Sequence, residues 1–307
     1  MNTIKIPKGQ TVKVISDLHL HANFGLSSHF YKDEELLREI KALADSCDLL
    51  IINGDLFETF YSSKLPTTTA YCDIVRDIVY NAYKKTFQFM FDNHEKFLIM
   101  IGNHDYVLND YTNQWRIFGK DISRVNIRKA TTLEFEGETS PHRYLVYHGD
   151  EAFWAADSVG SRFFKSIIAC FWWIVTNVIK GKILDSGFNY KINHGAKIFY
   201  KENLKQFRHY FNCEDYDGII LGHTHNPVIC RIALGSFGRK KSYNYINTGF
   251  YNGLENYVTT MTNTGPVPPV ISQSYQYDGS KEPAKTKGKT FIDWKSLGFL
   301  DWLTKIF

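Results

Sequence analysis

Leu49-Leu50-Ile51-Ile52-Asn53-Gly54-Asp55-Leu56-Phe57-Glu58 is the stretch from which the rest of the chain can be read. Four apolar residues in a row, two of them β-branched, predict a strand buried on both faces. The glycine after them lets the backbone turn sharply and be approached closely. A carboxylate then stands where the strand ends, and in an open α/β sheet that end faces the crevice in which ligands bind. Taken alone, Asp55 would read better as a turn former or a helix cap. Repetition along the chain decides otherwise.

Thr11-Val12-Lys13-Val14-Ile15 runs into Ser16-Asp17-Leu18-His19, and Phe97-Leu98-Ile99-Met100-Ile101 into Gly102-Asn103-His104-Asp105. Tyr144-Leu145-Val146-Tyr147 runs into His148-Gly149-Asp150, and Gly218-Ile219-Ile220-Leu221 into Gly222-His223-Thr224-His225. Five short apolar runs thus end in Asp, Asn or His, the oxygen and imidazole donors that suit Mn, Fe, Zn or Mg. The i, i+2 spacing of Asp17 with His19, and of His223 with His225, predicts extended segments that turn both side chains to one side. Asp17, His19, Asp55, Asn103, His148, His223 and His225 make seven candidate ligands, more than one ion needs. The expectation is two divalent metals about 3.5–4 Å apart with Asp55 between them.

In this order, D-x-H, G-D, G-N-H-D, H-G-D and G-H-T-H, spread from Val12 to Asn226, resemble the calcineurin-like metallophosphoesterases. The resemblance implies an α/β fold, a four-layer αββα sandwich of two sheets flanked by helices, with a dinuclear site at one end. It assigns Asp17, His19 and His225 to the first metal, Asn103, His148 and His223 to the second, and Asp55 to the bridge. It also implies that His104 stabilises or protonates the departing oxygen and that Asp105 orients its ring. The bland alternative for His104 is a ring that only holds Asn103 in place. Asp150 reads as a turn or hydrogen-bonding residue rather than a ligand, and His21 as a bystander. Two divalent ions, manganese before iron, zinc or magnesium, would clamp phosphoryl oxygens, and a water between them would lose its proton near neutral pH. No serine or cysteine nucleophile is then required.

A chain of 307 residues suits one large domain with additions. Net charge of +4 is mild, and Arg239-Lys240-Lys241 is too short a cluster to argue for nucleic acid. Cys47, Cys72, Cys170, Cys213 and Cys230 form no C-x-x-C pair and read as reduced core residues of a cytoplasmic protein. Met1 to Gln10 carries no apolar signal-peptide core.

Asp33 is expected to cap a helix bearing Leu36, Leu37, Ile40, Leu43 and Ala44 at helical spacing, with Asp33, Glu34 and Glu35 at its electropositive start. Residues Ala70 to Glu95 predict one long helix that turns Ile74, Val75, Ile78, Val79, Ala82 and Phe87 inward. Between them, Phe57 to Thr69 is a loop expected to touch substrate. Tyr243 to Thr248, Asn256 to Thr262 and Val270 to Tyr277 predict closing strands of a domain spanning residues 1–277.

Two further segments carry apolar surface in need of cover. The insert 151–212 contains Phe163-Phe164-Lys165-Ser166-Ile167-Ile168-Ala169-Cys170-Phe171-Trp172-Trp173-Ile174-Val175 and continues to Ile179. It is too short and interrupted to span a bilayer, which takes about 20 apolar residues, yet it is apolar nearly all round. It reads as a helical lid that holds acyl chains at a membrane surface; a core hairpin or homodimer interface is the alternative. Residues 278–290 form a Lys-bearing linker, and 291–307 an amphipathic helix suited to an anionic lipid surface or to docking on the parent domain. Gly54-Asp55-Leu56-Phe57-Glu58 and the insert after His148-Gly149-Asp150 narrow the resemblance to the UDP-2,3-diacylglucosamine diphosphatase branch. The chain departs from that branch at His104, where Arg is usual. The resulting expectation is a phosphoester or pyrophosphate hydrolase acting on a lipid-linked nucleotide diphosphate, cytoplasmic and peripheral on the inner membrane. A soluble phosphodiesterase of cyclic nucleotides or nucleic acid, and a non-catalytic scaffold, are the alternatives.

Overall fold

In the computed structural model, the structure describes residues 2–21, 31–59, 67–149, 216–223, 225, 227–234, 241–253, 255–265 and 267–277. The insert 151–212, the linker and the tail 291–307 lie outside them. So do Asp150 and residues 60–66 of the loop expected to touch substrate. Among the described residues no helix is long and apolar enough to cross a membrane.

In chain order the elements are β1 (Asn2–Ile6), β2 (Thr11–Ile15), α1 (Asp33–Asp45), β3 (Leu49–Asn53), α2 (Thr68–Asp77), α3 (Lys84–Asp92), β4 (Phe97–Met100) and α4 (Tyr111–Phe118). There follow β5 (Ile127–Arg128), β6 (Ala130–Phe135), β7 (His142–Tyr147), β8 (Gly218–Leu221), β9 (Val228–Leu234), β10 (Lys241–Asn247), β11 (Glu255–Thr262) and β12 (Val270–Tyr277). They build two six-stranded mixed sheets, ordered β1-β6-β7-β8-β10-β9 and β12-β11-β2-β3-β4-β5. This is the mixed α/β sandwich of two sheets flanked by helices that the motifs implied.

The alternation of β3 shows why its sequence is uninterruptedly apolar. Leu49 and Ile51 join Val12, Val14, Leu98 and Met100 of the same sheet against Leu133, Tyr144, Val146, Ile220 and Ile246 of the other. Leu50 and Ile52 point the opposite way, into a second core with Leu36 and Ile40 of α1, Val75 of α2 and Phe87 of α3. Successive side chains of a strand face opposite sides, so a strand with both faces covered must be apolar throughout.

Strands β2, β3 and β4 are parallel neighbours, as are β7 and β8 in the facing sheet. Their carboxyl ends deliver Asp17, Asp55, Asn103, His148 and His223 one to three residues after the last strand residue.

The single helix expected over Ala70 to Glu95 is instead broken. After α2 the chain widens into a π-turn, Ile78–Ala82, and leaves helical backbone at Tyr83 (φ −125°, ψ 38°) before α3 begins. The cause lies far away in sequence. Asp33 caps α3 rather than its own helix: its carboxylate accepts from the backbone N–H groups of Lys85 (2.9 Å) and Thr86 (3.0 Å) and from the Thr86 hydroxyl (2.7 Å). Tyr83 donates its hydroxyl to the carbonyl of Tyr31 at 3.0 Å. At the start of α1, Lys32 takes the cap position and its N–H reaches Glu35 at 3.2 Å. Cys47 and Cys72 are buried and free.

Candidate metal centre

Five residues at the strand ends share a backbone conformation that L-residues rarely adopt. Asp17 (φ 56°), His19 (49°), Asp55 (51°), His223 (64°) and His225 (53°) are all left-handed, and they are the five non-glycine residues with positive φ among those described. Such residues cluster at functional sites and persist only where the surroundings over-determine them. The i, i+2 pairs therefore converge for a different reason from the extended geometry expected of them: left-handed residues on either side of an intervening one bring both side chains to the same pocket.

Asp17, His19 and His225 place one donor each within 4.8 Å of one another, as do Asp55, His148 and His223. In the first group Asp17 Oδ1 stands 3.1 Å from His225 Nε2 and 4.0 Å from His19 Nε2, and the two imidazole nitrogens are 3.3 Å apart. In the second, Asp55 Oδ2 is 3.1 Å from His148 Nε2. That same oxygen is 4.0 Å from His19 Nε2, so it lies between the two groups. Asn103 joins the second group through its Oδ1, 2.9 Å from His223 Nδ1. Two donors each about 2.1 Å from a common ion stand roughly 3–4 Å apart, which is the spacing seen.

Several rings are turned to present the outward nitrogen. His148 Nδ1 lies 2.8 Å from the Asn53 carbonyl, which fixes that nitrogen as the donor and leaves Nε2 as the basic one. His19 Nδ1 lies 3.1 Å from Glu58 Oε2 in the same way. Burial pushes His223 down to about 3, helped by the neighbouring His148, so its ring is neutral, the form that ligates. Burial alone would raise Asp17 and Asp55. The rings of His225 and His148 respectively, with His104 also acting on Asp55, more than reverse it and hold both carboxylates ionised.

The donor set fits divalent cations. Asp17 Oδ1 is wholly buried and accepts no hydrogen bond, an arrangement that is costly unless a cation or proton sits among the facing donors. Space for these contacts is made by glycine. A Cβ on Gly102 would come within 2.2 Å of Asp55 Oδ1, and one on Gly54 (φ 84°) within 2.3 Å of the His148 ring.

His104 sits beside this centre. Its N–H donates to Asp55 Oδ1 at 2.8 Å, and its ring meets His19 edge to face at 4.6 Å. The partner expected for the ring is corrected by the structure. His104 Nδ1 is 2.8 Å from Glu58 Oε1, whereas both Asp105 side-chain oxygens are buried without a hydrogen bond. Burial, with Asp55 adding to it, raises the Asp105 carboxyl well above its usual range.

Glu58 is the residue the motif reading missed. One carboxylate, 1% exposed, holds both His19 and His104. Burial would raise it, but those two rings hold it far below the carboxylate range. The signal in the sequence was slight, an acid three residues after Asp55. What places it is the parallel bridge between Leu20 and Phe57, where Leu20 N–H meets the Leu56 carbonyl (2.9 Å) and Glu58 N–H the Leu20 carbonyl (2.8 Å). His19, Glu58 and His104 also form a donor cluster, but direct hydrogen bonds already satisfy its members. The Glu58 carboxylate is desolvated, so its two charge-assisted bonds are strong. In turn it pushes His104 up to about 9, against the lowering effect of burial and with help from Asp55. His21 is buried and belongs to none of the donor clusters among the described residues.

Comparison with known proteins places the sequence at the level of family. The sequence profile described as calcineurin-like phosphoesterase matches residues 10–227. No curated protein matches the chain at a significant level. Among solved structures, a conserved phosphoesterase-like protein of Streptococcus pneumoniae TIGR4 is 13% identical, with 87% of this chain and 98% of that one covered at a TM-score of 0.31. A metallophosphoesterase from Sphaerobacter thermophilus is 13% identical over 90% and 91% of the two chains, at 0.34. Vps29 of Entamoeba histolytica complexed with zinc is 12% identical over 87% and 98%, also at 0.34. Likenesses this weak carry no argument about activity. The profile spans well over half of the sequence, and the chain belongs to the calcineurin-like phosphoesterase family.

Proposed function

We propose that the protein is a divalent-metal-dependent hydrolase of a phosphoester or pyrophosphate bond. The observation that supports this most is the position of Asp55 Oδ2, 3.1 Å from His148 Nε2 and 4.0 Å from His19 Nε2, between two complete donor groups. Asp17, His19 and His225 would hold one cation, Asn103, His148 and His223 the other, with Asp55 shared. Bound there, two cations supply Lewis acidity toward phosphoryl oxygens and lower the pKa of water.

The chain's own residues do the rest. Glu58 fixes the His104 ring by its Nδ1, so Nε2 is the atom that would meet the departing oxygen. His104 is raised to about 9, so it is charged at neutral pH and suited to stabilise or protonate that oxygen. Asp55 Oδ1 holds the His104 backbone, tying the acid's position to the bridging carboxylate. Manganese is the preferred metal.

For the substrate we infer a lipid-linked nucleotide diphosphate, met at a membrane surface through residues 163–179 and 291–307. The support is in the sequence: Gly54-Asp55-Leu56-Phe57-Glu58, and an apolar insert directly after His148-Gly149-Asp150.

Stripped protein reloaded with manganese should hydrolyse aryl phosphate mono- or diesters, and Asp55→Ala should abolish turnover; no hydrolysis of any such ester with two ions bound would leave a non-catalytic scaffold as the reading. Turnover of a UDP-linked lipid should require detergent micelles and fall on deletion of residues 159–180. Equal turnover of soluble cyclic or oligomeric nucleotides without micelles would instead make the protein a soluble phosphodiesterase.

A further inference from the structure

Beneath the first donor group lies a buried cluster of hydroxyl and amide side chains. Ser16, Asn247 and Thr248 are all 0% exposed. Ser16 Oγ is 2.6 Å from Thr248 Oγ1 and 2.7 Å from the Gly249 carbonyl, while Thr248 Oγ1 is 3.0 Å from the Leu221 carbonyl. Two hydroxyl protons serve these three contacts. Either Ser16 donates to Thr248 and Thr248 to Leu221, or Thr248 donates to Ser16 and Ser16 to Gly249. In both cases the two hydroxyls form a chain in which each bond polarises the next.

Asn247 completes the connection. Its Nδ2 donates to the Gly222 carbonyl at 2.8 Å, and its Oδ1 accepts from the Gly249 N–H at 3.0 Å. The Thr248 N–H donates to the Leu221 carbonyl at 2.8 Å. The cluster therefore grips the two residues that immediately precede His223, and Ser16 immediately precedes Asp17. Asp17 Oδ2 in turn accepts the His223 N–H at 3.1 Å, so the loops after β2 and β8 are tied at two levels. Four of the five left-handed residues, Asp17, His19, His223 and His225, lie in these two loops. A backbone held in that region needs neighbours that forbid relaxation.

We propose that Ser16, Asn247 and Thr248 are positioning residues for the first cation: a buried clasp that holds Asp17 and His225 at their 3.1 Å separation and so sets the affinity of that site. The proposal rests on the reading of the two donor groups as cation sites. Ser16 adjoins Asp17 alone among the ligands, so its loss weakens the first site and spares the second, whereas the Thr248 hydroxyl also holds the Leu221 carbonyl two residues before His223 and is not selective between the two. Groups that orient metal ligands are typically worth 10- to 100-fold in affinity.

Calorimetric titration of manganese into the metal-stripped full chain tests this, with thermal melting of the same metal-free samples as the check on folding. The wild type is expected to bind in two steps, and the step that survives Asn103→Ala marks the first site. Ser16→Ala should weaken that step 10- to 100-fold and leave the other within threefold, Thr248→Val should weaken that step by the same factor, and Thr248→Ser, which keeps the hydroxyl, should stay within threefold of wild type in both. Should Ser16→Ala lack a cooperative melt, the Thr248→Val and Thr248→Ser pair decides. Isotherms of folded variants that superimpose on the wild type, or two steps weakened equally by Ser16→Ala, overturn the clasp. A wild type that binds no divalent cation overturns the reading of the site itself, so the two failures are told apart.

Discussion

Replacing Glu58 by Gln should cost the protein either a cation or its acid, and the geometry sets how much. The carboxylate accepts at both oxygens, 2.8 Å from His104 Nδ1 and 3.1 Å from His19 Nδ1. An amide keeps one acceptor and turns the other atom into a donor. One imidazole N–H then faces another N–H, and that ring must either turn away or move its proton to Nε2. If the amide oxygen stays on His104, His19 is the ring that changes, and a proton on its Nε2 removes the lone pair that faces Asp17 and His225. If the amide turns over, His104 loses its hold instead. A hydrogen bond to a charged group contributes about 1.5–3 kcal/mol, which corresponds to roughly a 10- to 150-fold change in the equilibrium or rate it supports. We therefore expect Glu58→Gln to lower either the affinity of the first cation step, read by manganese calorimetry, or turnover at saturating manganese, by a factor in that range. In the turnover case the loss should be larger for phenyl phosphate than for an ester with an activated leaving group, because only the former needs its departing oxygen protonated. A variant that keeps both quantities within threefold of wild type would refute the claim that this carboxylate positions the two rings.

Three other perturbations are expected to separate the site from the scaffold. Gly102→Ala would drive a methyl group to within 2.2 Å of Asp55 Oδ1 and 2.5 Å of its backbone nitrogen; manganese binding should fall below two ions per chain, and elemental analysis showing two would contradict the close approach. Asp33→Ala removes the acceptor for two backbone N–H groups and a hydroxyl at the start of α3, at a cost of about 1–2 kcal/mol for a lost cap; the melting temperature should drop by a few degrees with turnover unchanged, and no drop would mean the π-turn does not depend on that cap. The metal-free protein should be most stable near pH 6.5. Because His223 is depressed to about 3, its stabilising effect is complete above the unfolded value of about 6.5 and is lost as pH falls, amounting to about 2 kcal/mol by pH 5. Because His104 is raised to about 9, its contribution is complete below pH 6.5 and is lost as pH rises toward 9. Melting curves in chelator across pH 5–9 that are flat, or that rise toward acid, would be the contrary result.

Much of the fold and of the candidate site could be read from the chain because the strands that matter are covered on both faces. Leu49 to Ile52 had to be apolar throughout, and runs of that kind are visible without knowing their partners. The donors that follow them are short polar side chains in the few residues after each strand, so their positions were legible too. What was not legible depended on contacts distant in sequence. The break after Asp77 follows from Asp33 capping α3 across more than fifty residues of chain. Glu58 looked like one acid among several until the Leu20–Phe57 bridge brought it to His19. Strands β1 and β6, paired in parallel, carry too much polar character, Thr3, Lys5, Thr131 and Glu134 among it, for apolar patterning to single them out. The extended geometry expected of Asp17 and His19 failed because residue spacing says nothing about the sign of φ.

That last failure bears on how the site and the scaffold divide their labour. Left-handed backbone at five donor residues costs on the order of 1–3 kcal/mol each, and nothing in the loops alone would hold it. The strands before them are among the most deeply buried of the described residues, with Ile15, Ile52 and Ile220 at 0% exposure. Their hydrogen-bonded registers fix where each loop must begin. Strain is thus confined to the few residues between a rigid strand end and the next anchored backbone group: Asp17 N–H on the Gly54 carbonyl, His19 N–H on that of Asp55, Gly222 N–H on that of His148. Each anchor joins one ligand-bearing loop to another, so none can relax without displacing its neighbour. A donor set built in this way exists before any cation arrives, and binding energy need not be spent on gathering it.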